Sequence, residues 1–298
     1  MTFVRVSLLW ILNLMMFSSC GSTDALFKEG TQPELLSDAF EFTEGPASDA
    51  FGNVFFTDQP NNRIHKWSVA DGNISVYMED AGRANGLYED HNNNLVAAAD
   101  EHSQIWEINS DKEVKILIDS YQGKRLNGPN DLWIAPDGGI YFTDPYYQRD
   151  YWERTSKEIM EEGVYYISPS GRITRVVSNL VKPNGIIGTP DGKTLYIADI
   201  EANKTFSFKI GPDGMLSDKK LFAELGSDGM TIDNKGNVYL TGNGVTVFDS
   251  SGNKIQHIPI DKGWTSNVTF GGKNQDILFI TTLDAIYALQ MNVNGVRW

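Results

Sequence analysis

Pro183-Asn184-Gly185-Ile186-Ile187-Gly188-Thr189-Pro190-Asp191-Gly192-Lys193-Thr194-Leu195-Tyr196-Ile197-Ala198-Asp199 carries three signals in a fixed order. Asn184-Gly185 opens it, Asp191-Gly192-Lys193 turns the chain, and a β-branched and aromatic run closes on an aspartate. The same order surrounds five further openings: Glu44-Gly45-Pro46, Asn85-Gly86-Leu87, Asn130-Asp131-Leu132, Asp228-Gly229-Met230 and Asn267-Val268-Thr269. After each comes a turn signal, then an apolar run ending near Asp58, Asp100, Asp144, Gly242 or Thr282. Successive openings lie 41, 45, 54, 44 and 39 residues apart, within or near the period of a propeller blade. The chain therefore reads as all-β, a six-bladed β-propeller with four-stranded blades. Equivalence by repeat means equivalence in space, so the six opening side chains are expected to ring one mouth of a central channel.

Four strands fit each repeat, near 45–49, 54–58, 63–69 and 74–79 in the first. Hairpin dipeptides such as Asp71-Gly72, Ser170-Gly171, Asp213-Gly214 and Ser251-Gly252 separate the third strand from the fourth. The sixth repeat reaches Trp298 without a fourth strand. However, Glu34-Leu35-Leu36-Ser37-Asp38 precedes Glu44 at the offset by which Glu79 precedes Asn85. An N-terminal strand is thus expected to complete the last blade and remove the edge an open ring would expose. The 54-residue spacing contains an insertion after Asp144: Pro145 to Trp152, then a helix-like stretch from Glu153 to Glu162. Insertions concentrate on functional faces, so 145–162 is a candidate lid.

Hydrophobic residues at 41% supply a core, and 28 glycines match the many tight turns of short strands. Residues 1–19 hold one base, Arg5, and an apolar run from Val6 to Phe17, the pattern of an export signal. Cys20 is the only cysteine and follows that run directly, as in the lipobox of bacterial lipoproteins, although Phe17 stands where that motif has Leu. An ordinary export signal is the alternative. The expected division is a signal peptide at 1–19, a tether at 20–33 after a lipidated Cys20, and the propeller at 34–298. That address is periplasmic or cell-surface in a bacterium, with a lipid anchor as the only membrane attachment. Loss of Arg5 with the signal takes the net charge from −14 to −15, and no basic cluster exists to meet phosphates, so nucleic acid is not an expected partner. No Gly-x-Ser-x-Gly elbow is present, and Gly242-Asn243-Gly244 is a turn rather than a dinucleotide loop. His65 and His257 alternate with apolar neighbours and read as surface-facing.

The expected ring combines the carboxylates of Glu44 and Asp228 with amide oxygens, and it contains neither His nor Cys. Hard oxygen donors suit Ca²⁺, whereas four histidines without paired spacing do not suit Zn²⁺. Any single Asn-Gly or Asp-Gly is explained by turn formation alone; six in register are not.

The openings Phe42-Thr43-Glu44-Gly45-Pro46, Leu126-Asn127-Gly128-Pro129-Asn130-Asp131-Leu132, Lys182-Pro183-Asn184-Gly185-Ile186 and Ser227-Asp228-Gly229-Met230 resemble the SMP-30/gluconolactonase/LRE-like family. Tyr141-Phe142-Thr143-Asp144-Pro145 and Asn267-Val268-Thr269-Phe270-Gly271-Gly272 extend the resemblance, which spans about 34–292. It implies a six-bladed propeller binding one divalent cation, commonly Ca²⁺, in the channel. By motif the ligands are Glu44, Asn130, Asn184 and Asp228, with Asn130 also serving the substrate. Such a cation polarises a lactone or ester carbonyl, and Asp228 is the expected general base for water attack. Arg83 and Asn85, at the second opening, are assigned to substrate contact, as are His102 and Tyr146, which follow second strands towards the same mouth. The implied substrate is a small-molecule sugar lactone or similar cyclic ester. The alternatives are a phosphoesterase-like hydrolase on the same scaffold and a surface-anchored propeller that binds a ligand or protein without chemistry.

Overall fold

Residues 25–297 are described by a computed structural model, so the signal peptide, Cys20 and the first part of the tether lie outside the described residues. Within that span, 24 strands form six four-stranded sheets. β1 (Glu34–Ser37) comes first in the chain but belongs to the last sheet. The first blade is β2 (Thr43–Ser48), β3 (Val54–Asp58), β4 (Arg63–Trp67) and β5 (Ile74–Glu79). The second is β6 (Ala84–Glu89), β7 (Leu95–Ala99), β8 (Gln104–Ile108) and β9 (Val114–Ile118). The third is β10 (Leu132–Ile134), β11 (Ile140–Asp144), β12 (Gly163–Ile167) and β13 (Ile173–Val177). The fourth is β14 (Pro183–Gly188), β15 (Thr194–Asp199), β16 (Lys204–Ile210) and β17 (Leu216–Ala223). The fifth is β18 (Met230–Ile232), β19 (Val238–Gly242), β20 (Gly244–Phe248) and β21 (Lys254–Ile258). β22 (Thr265–Gly271), β23 (Ile277–Thr282) and β24 (Ile286–Gln290) complete the series, and β1 pairs antiparallel on β24 with Leu35 opposite Tyr287. The N-terminal strand thus closes the ring, as expected from its offset. Thr43 Oγ1 locks the seam by donating to the Thr282 carbonyl at 2.7 Å.

The first strand of every blade lines the axis, and each touches the next around the full circle. Strands one and two of each blade are buried almost throughout, while β5, β9 and β17 lie open to solvent along much of their length. Neighbouring blades cover both faces of the inner strands. One departure from expectation lies on β4. His65 is buried, stacked on Phe56 at 5.3 Å and edge-on to Phe40 at 5.1 Å. Burial lowers its pKa. Polar alternation on β4 did not mean exposure, because Phe40, in the segment between β1 and β2, packs over the ring where solvent would be. His257 is half-buried, with Nδ1 at 3.0 Å from Thr246 Oγ1.

Two other segments differ from their expected form. The stretch Glu153 to Glu162 contains no helix; it is a series of bends. Arg154 donates to the Leu126 carbonyl and to Ser103 Oγ, each at 3.0 Å, and Trp152 Nε1 donates to the Asp100 carbonyl at 3.2 Å. These tertiary bonds, together with burial of Trp152 and Ile159, outweigh local helix propensity. Within the tether span, Leu26 is buried against the fifth and sixth blades, and its carbonyl accepts from Asn292 N at 2.7 Å. At the far mouth Arg297 donates to the Ser48 carbonyl at 3.2 Å and pairs with Glu89, closing a channel cavity of about 70 Å³ that reaches Asp131.

Candidate active site

The opening residues meet because the residue after most of them is glycine. A Cβ at Gly45 would lie 2.0 Å from the Asn85 carbonyl oxygen, and one at Gly229 would lie 1.9 Å from Asn267 Cγ. Only hydrogen fits between adjacent inner strands at this level, so each opening residue abuts the next. Glu44, Asn85, Asn130, Asn184 and Asn267 are accordingly buried at the same end of the channel, and Asp228 is half-buried there.

Their hydrogen bonds show how each is held. Glu44 Oε2 accepts from Gly45 N at 2.7 Å and from Asn267 Nδ2 at 3.0 Å. Asn184 Nδ2 donates to Asp228 Oδ1 at 2.8 Å and to the Tyr147 hydroxyl at 3.2 Å. Trp264 Nε1 donates to Asp228 Oδ2 at 2.6 Å, which fixes the plane of that carboxylate from both sides. Asn130 and Asn85 are tied in through their backbone carbonyls, which accept from Gly86 N at 2.7 Å and from Thr57 Oγ1 at 3.0 Å.

A third carboxylate joins the ring. Asp131 is buried, and its Oδ2 lies 3.5 Å from Asn267 Nδ2. Sequence reasoning passed over it in favour of its neighbour, although a signal was present: it is the one opening at which an acid stands where glycine usually does. Tyr147, Arg149 and Trp264 were also missed, since no repeat marks them.

Three carboxylates near one axis, two of them buried and Asp228 half-buried, repel ionisation. Burial raises Glu44 well above the usual carboxylate range, and the charges of Asp228 and Asp131 add to the rise. Burial pushes Asp131 up to about 7. It pushes Asp228 up to about 6, against the opposing pull of the Trp264 and Asn184 bonds and the charge of Arg149. A cation among these groups would offset that cost.

The donor set fits such an ion. Asn184 Oδ1 is buried without a hydrogen-bond partner, because its amide nitrogen has taken both nearby oxygens. Among the described residues no group of three or more His, Cys, Asp and Glu side chains gathers closely enough to hold a metal. An ion here must therefore draw on amide oxygens beside carboxylates, a mixture that matches Ca²⁺ rather than Zn²⁺.

Arg83, His102 and Tyr146 make no hydrogen bond, ion pair or ring contact with a ring residue. Arg83 donates to the Pro60 carbonyl at 2.5 Å and lies 4.6 Å from the Tyr151 ring. His102 is exposed and stacked on Trp106 at 5.4 Å. Tyr146 bonds Gln148 within the insertion, beneath Arg154 at 5.4 Å. All three belong to the rim around the insertion rather than to the centre.

Comparisons with known proteins agree with this architecture. The chain is similar to a gluconolactonase of Zymomonas mobilis, with 30% identity over 193 residues, 59% of this chain and 54% of that protein. A lactonase of Staphylococcus saprophyticus is 33% identical over 178 residues, covering 55% of this chain and 47% of the relative. The chain thus spans about half the length of these curated relatives. The solved structure of a gluconolactonase from Xanthomonas campestris superposes with a TM-score of 0.83 at 32% identity, covering 90% of this chain and 91% of the other. A calcium-binding regucalcin from Agrobacterium tumefaciens shares the fold at 19% identity and a TM-score of 0.75, over 89% of this chain and 96% of its own. The model of the SMP-30/gluconolactonase/LRE-like region matches residues 42–284, a stretch that includes all six openings, and the chain belongs to that family.

Proposed function

We propose that the protein is a divalent-cation-dependent lactonase that opens a sugar lactone or similar cyclic ester, with Ca²⁺ as the cation. The supporting observation is the unpartnered buried Oδ1 of Asn184 beside Asp228, in a ring that also holds Glu44. Relatives named gluconolactonase and lactonase support the substrate class.

Glu44, Asn184 and Asp228 would hold the cation, with Asn130 at its edge. When bound, the cation supplies Lewis acidity towards a carbonyl oxygen. The remaining chemistry belongs to the chain. Asp228 takes a proton from water as the water oxygen bonds to the carbonyl carbon. The ring C–O bond then breaks, and the proton passes to the departing alkoxide to leave a hydroxy acid. Trp264 and Asn184 keep the Asp228 oxygens aimed during this transfer.

The test is acid release from gluconolactone in a pH-stat. Activity should fall with chelator, return with Ca²⁺, and drop about 10²-fold or more in Asp228→Asn. Acid release indifferent to both chelator and Asp228→Asn would overturn the reading. The export address is proposed as well: mass spectrometry of the cell-derived protein should find lipid on Cys20, lost in Cys20→Ser, and an unmodified cysteine would remove the anchor.

A further inference from the structure

The aspartate that ends strand two has a constant task in three blades. Asp58 accepts from the backbone N–H groups of Glu41 and Phe42, Asp144 from Asn127 and Gly128, and Asp199 from Val181 and Lys182. In each case it fastens the loop leading into its own inner strand. The carboxylate of Asp100, at the same place in the second blade, accepts no backbone N–H from a described residue, although Gln59 Nε2 donates to its Oδ2 at 3.4 Å. The same Oδ2 accepts from Arg149 Nε at 3.0 Å and from the Tyr151 hydroxyl, both on the insertion. Burial raises the Asp100 carboxyl, and the Arg149 charge is the largest opposing influence.

This anchor leaves Arg149 poised at the mouth. Its guanidinium stands 5.5 Å from the Tyr147 ring, and the Tyr147 hydroxyl accepts from Asn184 Nδ2 at 3.2 Å. Its charge is felt at Asp228. With Nε committed to Asp100, neither terminal nitrogen donates to a described residue, and the side chain is 23% exposed. A planar fork of unspent N–H donors, held rigidly beside the ring, suits a substrate carrying several oxygens outside its reacting ester.

We propose that Arg149 contacts the substrate and reads the hydroxyl groups of a polyhydroxylated lactone, with Asp100 as its positioning residue. This rests on the lactonase reading. The experiment compares gluconolactone with δ-valerolactone, which has the same ring without hydroxyls, in wild type, Arg149→Gln, Arg149→Lys and Asp100→Asn. The ratio of kcat/KM for gluconolactone to that for δ-valerolactone should fall about tenfold or more in Arg149→Gln, mostly through KM for the hydroxylated substrate. Arg149→Lys keeps the charge but not the fork, and carries the test if a thermal melt finds Arg149→Gln unfolded; the ratio should fall there too. Asp100→Asn should shift the ratio in the same direction by less. A ratio within about twofold of wild type in both Arg149 variants would overturn the proposal, because a purely structural role lowers both substrates together. A wild type inert on both lactones would instead remove the lactonase reading, and the proposal with it.

Discussion

At Gly229 a single methyl group would stand 1.9 Å from the Asn267 side chain, and the neighbouring inner strands have no slack to admit it. Gly229→Ala should cost on the order of 1–3 kcal/mol in urea unfolding and lower activity by displacing Asp228, one residue earlier. At Asp144, burial pushes the carboxyl up to about 7 although Asn127 N and Gly128 N donate to it. Its pKa is raised on folding, so the native state keeps a proton that the unfolded chain has lost. Stability from this group is fully present below the unfolded value of 3.8 and is lost as pH rises through about 7. In thermal melts across that window, Asp144→Asn should show a shallower decline of Tm with pH than wild type; an unchanged slope would rule this source out. Asp131 shows the limit of motif reading at this scale. Its type and position were visible, but its place beside Asn267 depends on a blade more than a hundred residues away.

The elements carry two further expectations. β1 supplies the outer strand of the last blade, so a chain starting at residue 38 leaves the β24 edge open. Such an edge templates pairing between molecules. The shortened chain should unfold at lower urea and associate in light scattering, whereas a monomer of wild-type stability would show that β1 adds little. The insertion is held by side chains instead of a ladder, with Arg154 donating to the Leu126 carbonyl and Ser103 and stacking 3.7 Å from Trp152. Arg154→Ala should free the segment, giving rapid limited proteolysis within 145–162 while the propeller stays intact. The insertion was legible as an extra length of chain. Its lack of helix was not, because the bonds that shape it reach back to the second blade.

Across the whole molecule, Glu44 and Asp228 are far apart in sequence and yet lie close enough to influence each other's ionisation. If one cation serves both, saturating Ca²⁺ should raise Tm in a dose-dependent way, by the equivalent of about 2.7 kcal/mol at a hundredfold excess over Kd. Glu44→Gln and Asp228→Asn should each abolish most of that shift, and the double variant should lose little more; additive losses would indicate two separate sites. Period, turn dipeptides and the displaced N-terminal strand are local patterns, so the sequence by itself determined the blade count, the closure and the six opening positions of the ring. Only the tertiary structure decided which oxygens of that ring remain unpaired, that Asp131 joins it, that His65 is buried and that Arg149 is anchored to Asp100. Those outcomes depend on contacts among blades and the segments that join them, which have no signature along the chain.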